Sequence, residues 1–112
     1  MSAEPPYSRT RTAAGLLFLA GILGRDDGGL PDGFRAQLDQ AFYNLEDQLA
    51  DHDVGTVDVV RLVVFLTDIE DTADLNESFI EHFAEPRPVR STVAVSALPG
   101  GALVEIEATA SI

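Results

Sequence analysis

The spacing of apolar and polar positions changes several times along this 112-residue chain, and each change marks an element. RTRTAAGLLFLAGILG reads as two short strands meeting at Ala14 and Gly15, and the RDDGGLPDG that follows is a turn-rich loop. Between residues 32 and 51, Phe34, Leu38, Ala41, Phe42, Leu45 and Leu49 recur at helical spacing, which predicts a long amphipathic helix with one buried face and Asp32 as its N-cap. VDVVRLVVFLTD, residues 57–68, is β-branched and apolar at odd and even positions alike, the pattern of a central strand covered on both sides. A second helix, predicted over residues 72–84, carries Leu75, Phe79, Ile80 and Phe83 and is stopped by EPRP. Strands follow over residues 91–97 and 103–111, separated by LPGG. The order β, β, α, β, α, β, β describes one α+β domain over residues 1–112.

Two helices can cover only one face of such a sheet. The strand at residues 57–68 is apolar on both, so something must cover the other, and the simplest cover is another copy of the chain. A homo-oligomer meeting through the helix-free face is therefore expected.

Charge narrows the partners. The chain has 19 Asp and Glu against 7 Arg and no Lys, a net charge of -12, so a polyanion is repelled at long range and nucleic-acid binding is not expected. The missing lysine removes Schiff-base and P-loop chemistry, and the missing cysteine removes thiol nucleophiles and thiolate metal sites. MSAEPPYSRTRT has no basic region followed by an apolar core, and no apolar run is long enough to span a bilayer, so a soluble cytoplasmic protein without membrane contact is expected.

Charges inside the last two strands stand out against this background. Arg90 opens the first, on the side of Thr92, Ala94 and Ser96; Glu105 and Glu107 lie in the second, opposite the apolar row of Val104, Ile106, Ala108 and Ala110. A tight hairpin about LPGG would put Arg90 near Ala110 and Glu105 near Val95, about 17 Å apart along the strands. Arg90 then needs a partner other than its nearest acid in the chain, either a neighbouring subunit or a ligand anion.

PVRSTVAVSALPGGALVEIEATA resembles the signature of the Rid (YjgF, RutC-like) family of reactive intermediate deaminases, in which Pro-Ala-Arg-Ser is followed, fifteen residues after its arginine, by Glu-Ile-Glu-Ala; Arg90 and Glu105 have the same spacing. PPYSR is similar to the family's Gly-Pro-Tyr-Ser-Gln, and VVRLVVFLTDIED and LNESFIEHF resemble two further family segments, all in order over about residues 5–110. The resemblance implies a chorismate-mutase-like sandwich, one mixed sheet of about six strands with two helices on one face, assembled as a homotrimer with ligand clefts between subunits. It also implies cofactor-free hydrolysis of 2-imino acids or their enamines to 2-keto acids and ammonia. By the same resemblance Arg90 clamps the substrate carboxylate, Glu105 holds and polarises the attacking water, and Gly21, Tyr7, Asn76 and Thr92 complete the cleft; no metal is involved. The alternatives are a non-catalytic protein that binds a small carboxylate, and a relative specialised for a bulkier imine or enamine. The latter is suggested by Ala20-Gly21-Ile22 standing where the family has Ser-Gly-Gln, a more apolar wall. His52 and His82 show no metal-ligand or triad spacing and read as surface residues, and Asp26, Asp27 and Asp32 read as turn formers rather than a calcium loop.

Overall fold

The computed structural model describes residues 5–112. Five strands, β1 (Thr10–Ala13), β2 (Leu16–Leu23), β3 (Val59–Leu66), β4 (Val89–Ala94) and β5 (Val104–Ser111), form one mixed sheet in the order β1-β2-β5-β3-β4. The β3–β4 pair is parallel and the other pairs are antiparallel. Helices α1 (Phe34–Ala50) and α2 (Thr72–His82) pack on one face. The expected α+β sandwich is therefore present with five strands rather than about six. Residues 24–33, between β2 and α1, are rich in Gly, Asp and Pro and fold as a loop closed by the bridge between Asp26 and Gly29 rather than as a strand. No helix among the described residues is long and apolar enough to cross a membrane.

The core lies between the helices and the sheet. Leu38, Phe42, Leu45 and Leu49 of α1 meet Leu17, Leu19 and Ile22 of β2, Leu62, Val64 and Leu66 of β3, and Val104 and Ile106 of β5. The helical and period-two spacings read from the sequence are what put these side chains on facing surfaces. Gly24 fixes how closely β2 approaches α1: a Cβ there would collide with the Gln37 carbonyl group. Gln37 is buried and joins three segments, its Nε2 donating to the Pro31 carbonyl and its Oε1 accepting from the Leu103 amide.

Several boundaries differ from expectation. Asp32 is not the cap of α1; Gly33 holds that position, with no side-chain cap. Val57 lies in a short 3-10 turn and is 67% exposed, so β3 is shorter than residues 57–68. Ile80 points to solvent, because only Leu75, Ser78 and Phe79 of α2 lie on its buried side. The last two strands do not form a hairpin about LPGG. Each flanks β3, β4 reaching it in parallel through α2 and β5 returning antiparallel on the other side.

His82 also departs from its reading as a surface residue. Its side chain is only 9% exposed, against the rings of Phe42 and Tyr43, with its nitrogens 3.3 Å from Asp39 Oδ1 and 3.5 Å from Glu46 Oε1. Asp39 accepts from Ser78 Oγ at 2.6 Å and from Arg35 Nε. Burial pushes the Asp39 carboxyl up, but the hydrogen bonds from Ser78 and Arg35 outweigh it and hold the group below the usual carboxylate range. This clasp joins α1 to α2, and α2 in turn carries Asn76 and Phe79 to the edge of β4.

Candidate functional site

Arg90 stands on β4, an edge strand, opposite Leu62 of β3. Leu62 is fully buried beneath the helices, so Arg90 shares the helix face and reaches α2. Its Nη2 donates to Asn76 Oδ1 at 2.7 Å, its Nε donates to Thr92 Oγ1 at 3.0 Å, and its guanidinium carbon lies 4.9 Å from the centre of the Phe79 ring. Burial pulls its pKa down from the usual arginine value. Among the described residues it forms no ion pair, although the chain carries 19 acidic side chains. Three groups named from the sequence, Arg90, Asn76 and Thr92, thus form one cluster. Phe79 was read only as a core residue; its position three residues after Asn76, on the same side of a helix, was the available signal.

Glu105 lies elsewhere. It pairs with Phe65 of β3 and Leu23 of β2 and alternates with the buried Val104 and Ile106, so it faces away from the helices. It is half-buried, and desolvation first, then the charge of Glu107, push its carboxyl above the usual range. A carboxylate with a raised pKa is better suited to exchange a proton with water near neutral pH.

Tyr7 and Gly21 line a hollow of about 490 Å³ at the free edge of β2, beyond the end of its pairing with β1. Gly21 sits at a break in the β2–β5 register with φ 74°, a left-handed conformation that favours glycine and turns the backbone out of the ladder. Ala20 is exposed here, whereas the Ile22 side chain is only 3% exposed and belongs to the core. Both residues border the hollow, Ala20 openly and Ile22 from the core beneath it, since the register break turns the Ile22 side chain inward. The far wall of the hollow is polar, with Asn44, Asp47 and Gln48 of α1, whose spacing of three and four residues is that of one helix face.

The six residues thus fall into two groups within one chain. Glu105 neighbours Leu23, two residues beyond Gly21, on the β2 side. The Arg90 cluster lies at β4, three strand spacings from β2, or about 14 Å.

The family model described as Endoribonuclease L-PSP matches residues 1–112. A RutC family protein of Aquifex aeolicus is 35% identical over 109 residues, covering 94% of this chain and 87% of the relative. The 2-iminobutanoate/2-iminopropanoate deaminase of Bos taurus is 32% identical over 112 residues, covering 97% and 82%. Among solved structures, RidA from the Antarctic bacterium Psychrobacter sp. superposes with a TM-score of 0.93 at 38% identity, covering 99% of this chain and 92% of that one. With its whole length matched by the family model and its sheet and helices superposing on a Rid protein, the chain belongs to the Endoribonuclease L-PSP family, that of the RutC-like and Rid proteins.

Proposed function

We propose that the protein hydrolyses 2-imino acids, or their enamine tautomers, to 2-keto acids and ammonia without a cofactor, at sites formed between the subunits of a homotrimer. The observation that carries this reading is Arg90: a half-buried cation, held in place by the neutral groups of Asn76, Thr92 and Phe79, with no carboxylate partner among the described residues. Such a guanidinium is set to receive a carboxylate from a ligand through paired N–H donors, and its Nη1 is not engaged by either hydrogen bond.

The chemistry follows from the substrate. An imine conjugated to a carboxylate is an electrophile at C2. With the carboxylate on Arg90, Glu105 takes a proton from a water molecule as its oxygen bonds to C2 and delivers that proton to the imine nitrogen, giving a tetrahedral amino alcohol. Glu105 then takes the hydroxyl proton and passes it to the nitrogen as the C–N bond breaks and the carbonyl forms. Ammonia and the keto acid result, with one water consumed. Tyr7 and Gly21 border the space for the rest of the substrate.

An intersubunit site is favoured because Arg90 and Glu105 lie on opposite faces of the sheet of one chain. The bovine relative's deaminase name supports the substrate class. Exposed Ala20 favours imines with an apolar side chain over the smallest ones.

The test is keto-acid formation from imines made in situ by an amino-acid oxidase, with and without the protein. Acceleration that disappears in Glu105→Gln supports the hydrolase. No acceleration of any imine, with keto-acid binding that depends on Arg90, supports a non-catalytic carboxylate-binding protein instead.

A further inference from the structure

The helix-free face carries a second cationic feature that the Arg90 clamp does not use. Two rows of side chains cross the sheet there. In one, register aligns Arg11 with Phe18, Phe18 with Thr109, and Thr109 with Arg61. In the next, the Ala20 amide donates to the Arg9 carbonyl at 3.2 Å, and Glu107 is paired with Val63. Strand alternation puts Arg11, Phe18, Ala20, Arg61, Glu107 and Thr109 on the side away from the helices, and Arg9, just before β1, lines both this hollow and the one at Gly21. The small Ala20 and Thr109 leave the middle of the block low, while long arginine side chains stand at either rim. The result is a hollow of about 220 Å³ lined by Arg9, Arg11, Phe18, Arg61, Glu107 and Thr109.

Its charge is opposite to that of the molecule. Three guanidiniums against one carboxylate leave a local charge of +2 (3 minus 1) in a chain of net charge -12. None of the three arginines forms an ion pair among the described residues. If further copies close this face, as the two-sided apolar pattern of residues 57–68 leads one to expect, they enclose the guanidiniums, and unpaired cations taken out of water are costly. A ligand bearing two or more negative charges on oxygen removes that cost, since each guanidinium can offer paired N–H donors to its oxygens.

We propose that this hollow binds a compact multivalent oxyanion, separately from the carboxylate clamp at Arg90. The inference rests on the proposed closure of the face only for the enclosure of the anion. That Arg9, Arg11 and Arg61 line one hollow is a property of the single chain. Phosphate and tricarboxylates share the required chemistry, and the experiment distinguishes them.

Wild-type protein is titrated calorimetrically with inorganic phosphate, with citrate and, at matched ionic strength, with acetate, while sedimentation in the same buffers reports the number of chains. Saturable binding of phosphate or citrate at a site that acetate, a ligand for the Arg90 clamp alone, does not compete for is expected, and whichever binds more tightly identifies the source. Arg61→Gln and Arg11→Gln should each weaken it about tenfold, the loss of one charged hydrogen-bonding partner, while Arg90→Ala leaves it unchanged. Failure of both multivalent anions to bind wild type overturns the proposal, as does binding that survives both glutamine variants but is lost in Arg90→Ala. Weakened assembly of the glutamine variants with no anion effect in wild type also overturns it, since the arginines then pair with acids of a neighbouring copy. Anion binding to a monomer would uphold this site and refute the intersubunit reading, so the two fail separately.

Discussion

Arg90 and Glu105 stand on opposite faces of one sheet, separated by β3, where Arg90 is level with the buried Leu62 and Glu105 with Phe65. Three residues along the strand and two strand spacings across it place their backbones about 14 Å apart, before the side chains diverge. A substrate whose carboxylate and imine carbon are bonded to each other cannot be held by Arg90 and attacked by water on Glu105 of the same chain. If both residues act on one molecule, they come from different copies.

This division can be tested by mixing two inactive proteins. Arg90→Ala keeps a functional Glu105, and Glu105→Gln keeps a functional Arg90. Co-refolded in equal amounts, about a quarter of the intersubunit sites should pair an intact arginine with an intact glutamate, since each has a one-half chance of being supplied. Activity should return to about a quarter of wild type, and sedimentation should report about three chains. No recovery from demonstrably mixed oligomers would place both residues of each site in one subunit.

Binding of a small keto acid should depend on how the guanidinium is held as well as on its charge. Arg90→Ala removes at least two charged hydrogen bonds and should weaken binding by calorimetry about 100-fold or more. Arg90→Lys keeps the charge but loses the planar fork and the contact with Phe79, and should recover only part of the affinity. Asn76→Ala frees Nη2 from its 2.7 Å contact and should cost severalfold in affinity with little loss of stability, since Asn76 is exposed. Unchanged affinity in both Arg90 variants would remove the clamp.

Glu105 should reveal itself by a pH dependence of opposite sign in rate and in stability. Its folded-state pKa is raised, by desolvation first and then by Glu107. The ionised form holds the water, so turnover should rise as pH increases through that raised value. The same shift means that the stability contributed by Glu105 is fully present below the unfolded glutamate pKa of about 4.3 and is lost as pH rises through the folded pKa. Glu105→Gln should therefore be slower but more stable than wild type at neutral pH, the stability difference fading below about pH 4. Thermal melts across pH, alongside rates, check both signs. A glutamine variant that is less stable at pH 7 would make Glu105 a structural residue.

The helical spacing of Phe34, Leu38, Phe42, Leu45 and Leu49, and the alternation of Val104, Ile106, Ala108 and Ala110, made most of the fold legible, because each face is buried against a single layer. Pairing was not legible. Nothing within β4 or LPGG states that β4 joins β3 in parallel rather than folding back on β5, since that depends on α2 packing across the sheet. The separation of Arg90 from Glu105 survives the error, because a hairpin would also have kept them well apart along the strands, but their placement on opposite faces of the sheet follows only from the observed pairing. His82 was misread for a related reason: its burial between Phe42 and Tyr43 depends on how α2 lies against α1, which no spacing within one helix specifies.

Substrate size should be set at position 20. The family pattern offers a hydroxyl and an amide where this chain has Ala20 and Ile22, but the two positions have different fates. Ile22 is in the core, so Ile22→Gln should cost about 2–4 kcal/mol of stability for a buried amide rather than change the site. Ala20 is exposed between the two hollows and can meet a ligand. An apolar wall there should raise kcat/KM about fourfold for each substrate methylene it covers, at about 0.8 kcal/mol per group, so imines derived from leucine should outpace those derived from alanine. Ala20→Ser should flatten that series without lowering the melting temperature, because the added hydroxyl is solvated in the empty site but desolvated beneath an apolar side chain. Rates for the alanine, leucine and phenylalanine imines, compared between wild type and Ala20→Ser, measure this. Identical size dependence in the two proteins would show that position 20 does not contact the substrate side chain, and would leave the polar wall of Asn44, Asp47 and Gln48 as the part of the hollow that selects it.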